Sequence, residues 1–229
     1  MIGRRPHAQR SFFRRRSARP PDYAAAQSAP PPLDCALDPL ALFSAWLAEA
    51  YGAEPNDPNA MTLSTVDEFG APDARIVLLK DLDDRGFTFF TNLQSAKAVE
   101  LAGDHRAALT FHWKSLRRQV RVRGPVETVS DAEADAYFAT RARISRLGAW
   151  ASEQSRTLDD PARLRERLAE QEKRFEGQEP PRPPHWSGYR LLPTAIEFWT
   201  DGAFRLHDRL LFEREQVEQP TWSARRLYP

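Results

Sequence analysis

Cysteine is nearly absent: Cys35 is the single one in 229 residues, so neither an intrachain disulfide framework nor a multi-cysteine metal site can be built. Ten glycines never fall two apart, which excludes G-x-G-x-x-G, and no G-x-x-x-x-G-K-[ST] occurs either. Any phosphate held by this chain must therefore be held largely by cationic and hydroxyl side chains. The longest wholly aliphatic run, Ile76 to Leu79, is far short of the roughly 20 apolar residues of a membrane span. The five histidines include no H-x-x-x-H pair and no G-x-S-x-G elbow exists, so metal and nucleophilic serine chemistry get no support.

What is present suffices for a core: 41% of residues are hydrophobic and 10% aromatic. Charge is unevenly placed. The first 21 residues hold seven arginines and no acid, and with +1 overall the remaining 208 carry −6. A mildly acidic body argues against a nucleic-acid binder. Six of the 19 prolines lie in the first 32 residues. Residues 1–37 therefore read as an Arg/Pro-rich tail unable to offset its ordering entropy, and 38–229 as the folded domain. That start also resembles an organelle transit peptide, but it lacks the apolar core of a secretory signal. A reducing cytoplasm is the expected compartment.

From Asp38 the pattern predicts a helix to about Ala50, with proline in its first turn. Strands are predicted at 61–66, 74–82, 87–91, 107–113 and 119–129, with a short helix at 95–102 ended by Gly103. Ser130 and Glu133 form a capping box that opens a helix to about Thr140, and a longer helix covers 159–175. Strands return at 188–192, 196–200, 204–212 and 223–227. Strands before and after a helical insert predict an α+β fold, an antiparallel barrel with packed helices.

Several polar patterns invite a ligand. A strand over 204–212 would put Arg205, His207 and Arg209 on one face, where an anion would relieve their mutual repulsion; a solvated outer face has the same spacing. Arg75 and Lys80, five apart, reach one phosphate only if the strand ends or bulges near Lys80. Tyr137, Arg141 and Ser145, spaced by four, would form a stripe on one continuous helix. Gln119, Gln154 and Ser155 offer groups suited to a polar heteroaromatic ring.

In order and spacing, Arg75–Lys80 (RIVLLK), Phe90-Thr91-Asn92-Leu93 with Ser95 and Lys97, Arg118-Gln119-Val120, Gly148-Ala149-Trp150 with Gln154-Ser155, Glu197-Phe198-Trp199, Arg205-Leu206-His207-Asp208-Arg209 and the closing Arg226-Leu227-Tyr228-Pro229 resemble the pyridoxine/pyridoxamine 5′-phosphate oxidase family. The resemblance runs from about Asp38 to Pro229. It implies a split β-barrel, a homodimer and FMN at the subunit interface. FMN would be held by Arg75, Ile76, Val77, Leu78, Leu79 and Lys80, by Phe90, Thr91 and Lys97, and by Gln119, Gln154, Ser155, Trp199 and Arg209. Substrate phosphate would meet Lys80, Tyr137, Arg141 and Ser145, while Arg205 and His207, the implied catalytic pair, flank the pyridine ring. The implied reaction converts pyridoxamine or pyridoxine 5′-phosphate to pyridoxal 5′-phosphate, by hydride transfer from C4′ to the flavin and reoxidation by O2. Related barrels of the phenazine-pathway type, or non-enzymatic flavin or haem binders, are the alternatives. Two positions depart from the family pattern: Ala96 stands where many relatives have arginine, and Ala142 where R-P-R is common.

Overall fold

A computed structural model of the chain describes residues 33–229. Most of the expected tail, residues 1–32, lies outside the described residues. Leu33 corrects its boundary: the side chain is buried, its N–H donates to Asp208 Oδ2 (3.1 Å), and its carbonyl accepts from Arg226 Nη2 (2.5 Å).

Helix α1 (Pro39–Ala53) begins as the sequence predicts, with the Asp38 carboxylate accepting the Ala41 N–H at 2.8 Å. Its inner stripe is Phe43, Trp46 and Ala50. Phe43 sits edge-on to Phe87 and Phe111, at 4.9 and 4.8 Å between centroids, and Trp46 edge-on to Phe198 at 5.1 Å. Each such pair adds about 0.5–1.5 kcal/mol beyond burial, so α1 locks the barrel interior.

The strands are β1 (Ala60–Val66), β2 (Pro72–Leu78), β3 (Asp81–Leu82), β4 (Phe87–Asn92), β5 (Arg106–Trp113), β6 (Arg118–Thr128), β7 (Trp186–Leu191), β8 (Ala195–Thr200), β9 (Asp208–Glu213) and β10 (Ser223–Arg226). Helix α2 (Ala96–Gly103) follows β4; α3 (Asp131–Thr140), α4 (Arg143–Ala151) and α5 (Pro161–Arg174) lie between β6 and β7. The main sheet runs β10-β9-β8-β6-β5-β1-β2. Strand β6 forks. Residues 118–123 pair with β8, residues 126–128 pair with β7, and β7 continues to β4 and β3. The fork falls at Gly124-Pro125. A Cβ on Gly124 would lie 1.9 Å from the Leu192 carbonyl oxygen, and Pro125 has no N–H to give a ladder. All pairings are antiparallel, and the α+β split barrel with packed helices is the observed fold. In β5, Ala107, Leu109, Phe111 and Trp113 alternate inward, the period-two burial expected of a half-buried strand.

Four local expectations are corrected. The strand expected over 74–82 stops at Leu78 and resumes at Asp81, because Leu79 turns into the core (5% exposed) and the Lys80 N–H bonds to Thr88. The strand expected over 204–212 is instead a 3-10 turn, Ala203–Arg205, followed by β9 from Asp208. Phe204 and Arg205 have positive φ (56° and 66°), so Arg205, His207 and Arg209 do not share a strand face. Tyr137, Arg141 and Ser145 are not on one helix, since α3 ends at Thr140 and Arg141 is extended (φ −73°, ψ 146°). Helix α4, which follows that break, was not expected. The Ser130–Glu133 capping box is present as predicted.

Candidate active site

The break after Leu78 is what lets Arg75 and Lys80 line one cleft of about 810 Å³, despite their odd spacing. Ile76, Val77 and Leu78 form the same wall, while Leu79, buried in the core, does not reach it. Phe90 and Thr91 of β4 form the floor, and Lys97 stands at the first turn of α2. Tyr137, Arg141 and Ser145 line the same cleft, with Gln154 and Ser155 just beyond the end of α4. The helix break therefore does not scatter the expected stripe; the extended Arg141 brings both helices to the same opening.

Aromatic rings order this region. Phe90 stacks on Tyr137 (4.1 Å, 11° between planes) and on Trp186 (5.4 Å, 2°). Gly188, opposite Phe90 in β7, makes room: a Cβ there would sit 2.7 Å from both the Phe89 carbonyl and Phe90 Cδ1. Trp186 is a lining residue that sequence reading missed. Its signal was an aromatic opening a strand just after a proline group.

Three cations in the cleft, the exposed Lys80 and the less accessible Lys97 and Arg141, have no carboxylate partner among the described residues. Lys97 Nζ donates to the hydroxyls of Thr91 (3.3 Å) and Ser95 (3.2 Å) and to Gln154 Oε1 (3.4 Å). Burial, then the nearby Arg75 charge, holds its ammonium below the usual lysine range, with Glu100 opposing. The Arg141 guanidinium lies 4.8 Å over Trp186, its Nη1 is buried without a hydrogen-bond partner, and burial lowers its pKa. A buried donor left unsatisfied costs about 1–3 kcal/mol, which an anionic ligand would recover. Arg75 is different: it pairs with Asp73 (2.6 Å) and Glu100 (2.9 Å) and also meets the Thr65 hydroxyl. The N-terminus of α2, carrying a partial positive charge, opens at the same end.

The other expected site residues form a second cluster that does not line this cleft. Gln119 on β6 is opposite Trp199 on β8, which is opposite Arg209 on β9. Arg209 gives Nε and Nη2 to Glu197 Oε1 (2.8 and 2.7 Å), while Arg121 holds the other carboxylate oxygen. Burial pushes the Glu197 carboxyl up, but the two guanidinium groups outweigh it and its pKa is lowered. His207 packs on Trp199 at 4.6 Å between rings. Arg205 is exposed and its side chain makes no hydrogen bond among the described residues.

A forked antiparallel split barrel with a cation-lined cleft at its wall defines the class, that of the FMN-binding split-barrel proteins. The chain belongs to the pyridoxamine 5′-phosphate oxidase family. The family model described as pyridoxamine 5′-phosphate oxidase matches residues 47–174, and the pyridoxine 5′-phosphate oxidase C-terminal dimerisation region matches 186–229. The pyridoxine/pyridoxamine 5′-phosphate oxidase of Caulobacter vibrioides is 60% identical over 203 residues, covering 89% of this chain and 90% of that protein. The protein of that name from Azorhizobium caulinodans is 62% identical over 192 residues, covering 84% and 90%. Among solved structures, PhzG from Burkholderia lata in complex with tetrahydrophenazine-1-carboxylic acid superposes with a TM-score of 0.78 at 31% identity, covering 93% of this chain and 98% of that one. A pyridoxamine 5′-phosphate oxidase-related, FMN binding protein from Nostoc punctiforme shares the fold at 17% identity, with a TM-score of 0.68, covering 84% and 99%.

Proposed function

We propose that this chain is an FMN-dependent oxidase converting pyridoxamine 5′-phosphate or pyridoxine 5′-phosphate to pyridoxal 5′-phosphate, with O2 reduced to H2O2. One observation carries the reading beyond family membership. A single cleft holds the buried Lys97 and the half-buried Arg141, both without carboxylate partners, and cofactor and substrate each carry one phosphate.

The donor set fits both anions. Lys97, Arg75 and the first turn of α2 are suited to the flavin phosphate, and Ala96 adds no charge there. Ile76, Val77, Leu78, Lys80, Phe90, Thr91, Gln154 and Ser155 would border the flavin. Lys80, Tyr137, Arg141 and Ser145 would take the substrate phosphate, with the orphaned Arg141 Nη1 as its strongest anchor. The protein is a homodimer on this reading, in line with the dimerisation region it matches. The second cluster, Gln119, Trp199, Arg209, Arg205 and His207, would complete each cleft from the other protomer, a two-fold arrangement that makes two equal sites.

Bound FMN supplies a two-electron acceptor that O2 reoxidises. The chain's own contribution is placement. The phosphate anchors would hold C4′ of the substrate near the flavin, so that proximity is prearranged. Arg205 would orient the substrate ring for that transfer. A cytoplasmic location belongs to the same reading and rests on the single cysteine. Among the described residues, no helix is long and apolar enough to cross a membrane.

The test is spectroscopic. Anaerobic pyridoxamine 5′-phosphate should bleach the flavin band at about 450 nm, a property of the cofactor. Air should restore it with pyridoxal 5′-phosphate and H2O2 formed. The similarity to PhzG supports a second reading, oxidation of a carboxylated phenazine precursor. Bleaching by tetrahydrophenazine-1-carboxylic acid but by neither B6 phosphate would establish that one instead.

A further inference from the structure

The RLHDR segment contributes His207, but the residue that governs this ring lies outside it. Asp201 follows β8, at the start of the turn that leads back to β9. Its Oδ1 is 3.1 Å from His207 Nδ1, and its other oxygen is held by the Arg117 guanidinium. The Asp201 N–H also donates to the Arg117 carbonyl at 3.0 Å, so the carboxylate is fixed at both its backbone and its charge. Gly202 closes the turn tightly: a Cβ there would fall 1.9 Å from the Leu206 carbonyl oxygen. Trp199 packs against the ring, and Nε2 has no protein partner among the described residues. Nε2 is thus the edge left for a ligand.

His207 Nδ1 faces two groups with opposite demands. The Gly202 N–H, at 3.1 Å, asks for a lone pair there, whereas Asp201 Oδ1 asks for a proton. One nitrogen cannot satisfy both. A charge-assisted hydrogen bond is roughly twice as strong as a neutral one. An unprotonated Nδ1 would also set its lone pair against a carboxylate. Gly202 is only half-buried, so water can serve its N–H instead. The carboxylate wins.

We infer that Asp201 is a positioning residue that keeps the proton of neutral His207 on Nδ1, so that Nε2 offers substrate a hydrogen-bond acceptor rather than a donor. The other tautomer would reverse the sign of that contact. An acceptor suits the N–H or O–H of an aminomethyl or hydroxymethyl group, the two substituents that the proposed substrates carry at C4′. The inference rests on placing His207 at the substrate ring, as proposed above.

The experiment uses the full chain with FMN bound and three substitutions: Asp201→Ala, Asp201→Asn and His207→Asn. Histidine 15N NMR of the holoprotein, with the His207 signals identified by their loss in His207→Asn, reads the tautomer directly. The expected result is a proton on Nδ1 in the native chain and on Nε2 in Asp201→Ala. In turnover, Asp201→Ala should raise KM for pyridoxamine 5′-phosphate about tenfold, the cost of one charged hydrogen bond. Asp201→Asn, which keeps an acceptor oxygen, should recover most of that loss. Adding Asp201→Ala to His207→Asn should cost nothing more, because the two act through one contact. A native Nε2–H tautomer, a tautomer unmoved by Asp201→Ala, or additive losses in the double variant would overturn the proposal. Native KM and kcat in His207→Asn would instead remove His207 from the substrate site, and the NMR comparison would still decide what Asp201 does.

Discussion

Tyr137 lies face to face on Phe90, with 4.1 Å between ring centroids and 11° between planes, so a helix residue and a strand residue 47 positions apart share one wall of the cleft. The stack has a structural and a ligand-facing component that substitution separates. Tyr137→Phe keeps the stack and should leave thermal stability unchanged while raising KM, if the hydroxyl meets the substrate phosphate. Tyr137→Ala should cost about 1 kcal/mol of stability in addition, the usual worth of an aromatic pair. Melting curves beside steady-state kinetics would check both; equal KM in Tyr137→Phe and the native enzyme would remove the hydroxyl from the site.

Arg141 should show opposite effects on stability and binding. Its guanidinium is partly buried with Nη1 unpartnered, so Arg141→Met removes an uncompensated donor. The ligand-free protein should melt no lower than the native one. KM for pyridoxamine 5′-phosphate should rise about 10- to 150-fold, equivalent to about 1.5–3 kcal/mol for a charged hydrogen bond. A lower melting temperature with unchanged KM would make Arg141 structural.

Lys97 links cofactor affinity to pH. Burial and the Arg75 charge lower its pKa, so in a window below its unfolded value of 10.5 the unfolded chain binds more protons than the folded one. Stability of the FMN-free protein should therefore rise with pH across that window. A phosphate beside Nζ favours the charged form and reverses the trend, so FMN affinity should fall as pH climbs through the folded pKa. Titrating FMN between about pH 7 and 10 tests this. Lys97→Met should bind more weakly at neutral pH and lose the alkaline fall; a fall of native size in that variant would assign it to another group.

The proposed division of the site between two protomers is open to a complementation test. Arg205→Leu should lower kcat at least about tenfold with FMN still bound, since a contact to the reacting ring strengthens in the transition state. Arg141→Met and Arg205→Leu homodimers, unfolded together and reassembled, would form hybrids. If the two clusters meet across the interface, each hybrid has one doubly altered site and one native site, and activity returns. Activity no higher than that of the parents would place both residues in one protomer's site.

Much of the molecule was legible in the residue order. Asp38 with Pro39, the Ser130–Glu133 box and the alternating β5 carry their own local physics, since capping and period-two burial need only near neighbours. The residue types of the cleft were legible too: Lys97, Tyr137, Arg141 and Ser145 all reach it, as does Arg75 with Lys80. What sequence spacing could not supply was how they arrive there. Lys80 joins Arg75 because Leu79 is drawn into the core and breaks the strand, and Ser145 joins Tyr137 because the helix stops at Arg141. Trp186 enters through its stack on Phe90, and Asp201 through its contact with His207, neither of which has a local pattern. Likewise, 204–212 alternates like a strand, yet the chain takes positive φ at Phe204 and Arg205, with no glycine at either position to announce it. The sequence alone determined most of the elements, the barrel class and the supply of cations, because those depend on short-range periodicity, element order and composition. Only tertiary structure decided which side chains share the cleft and which stand apart on β6, β8 and β9, because that depends on where long-range packing interrupts a strand or a helix.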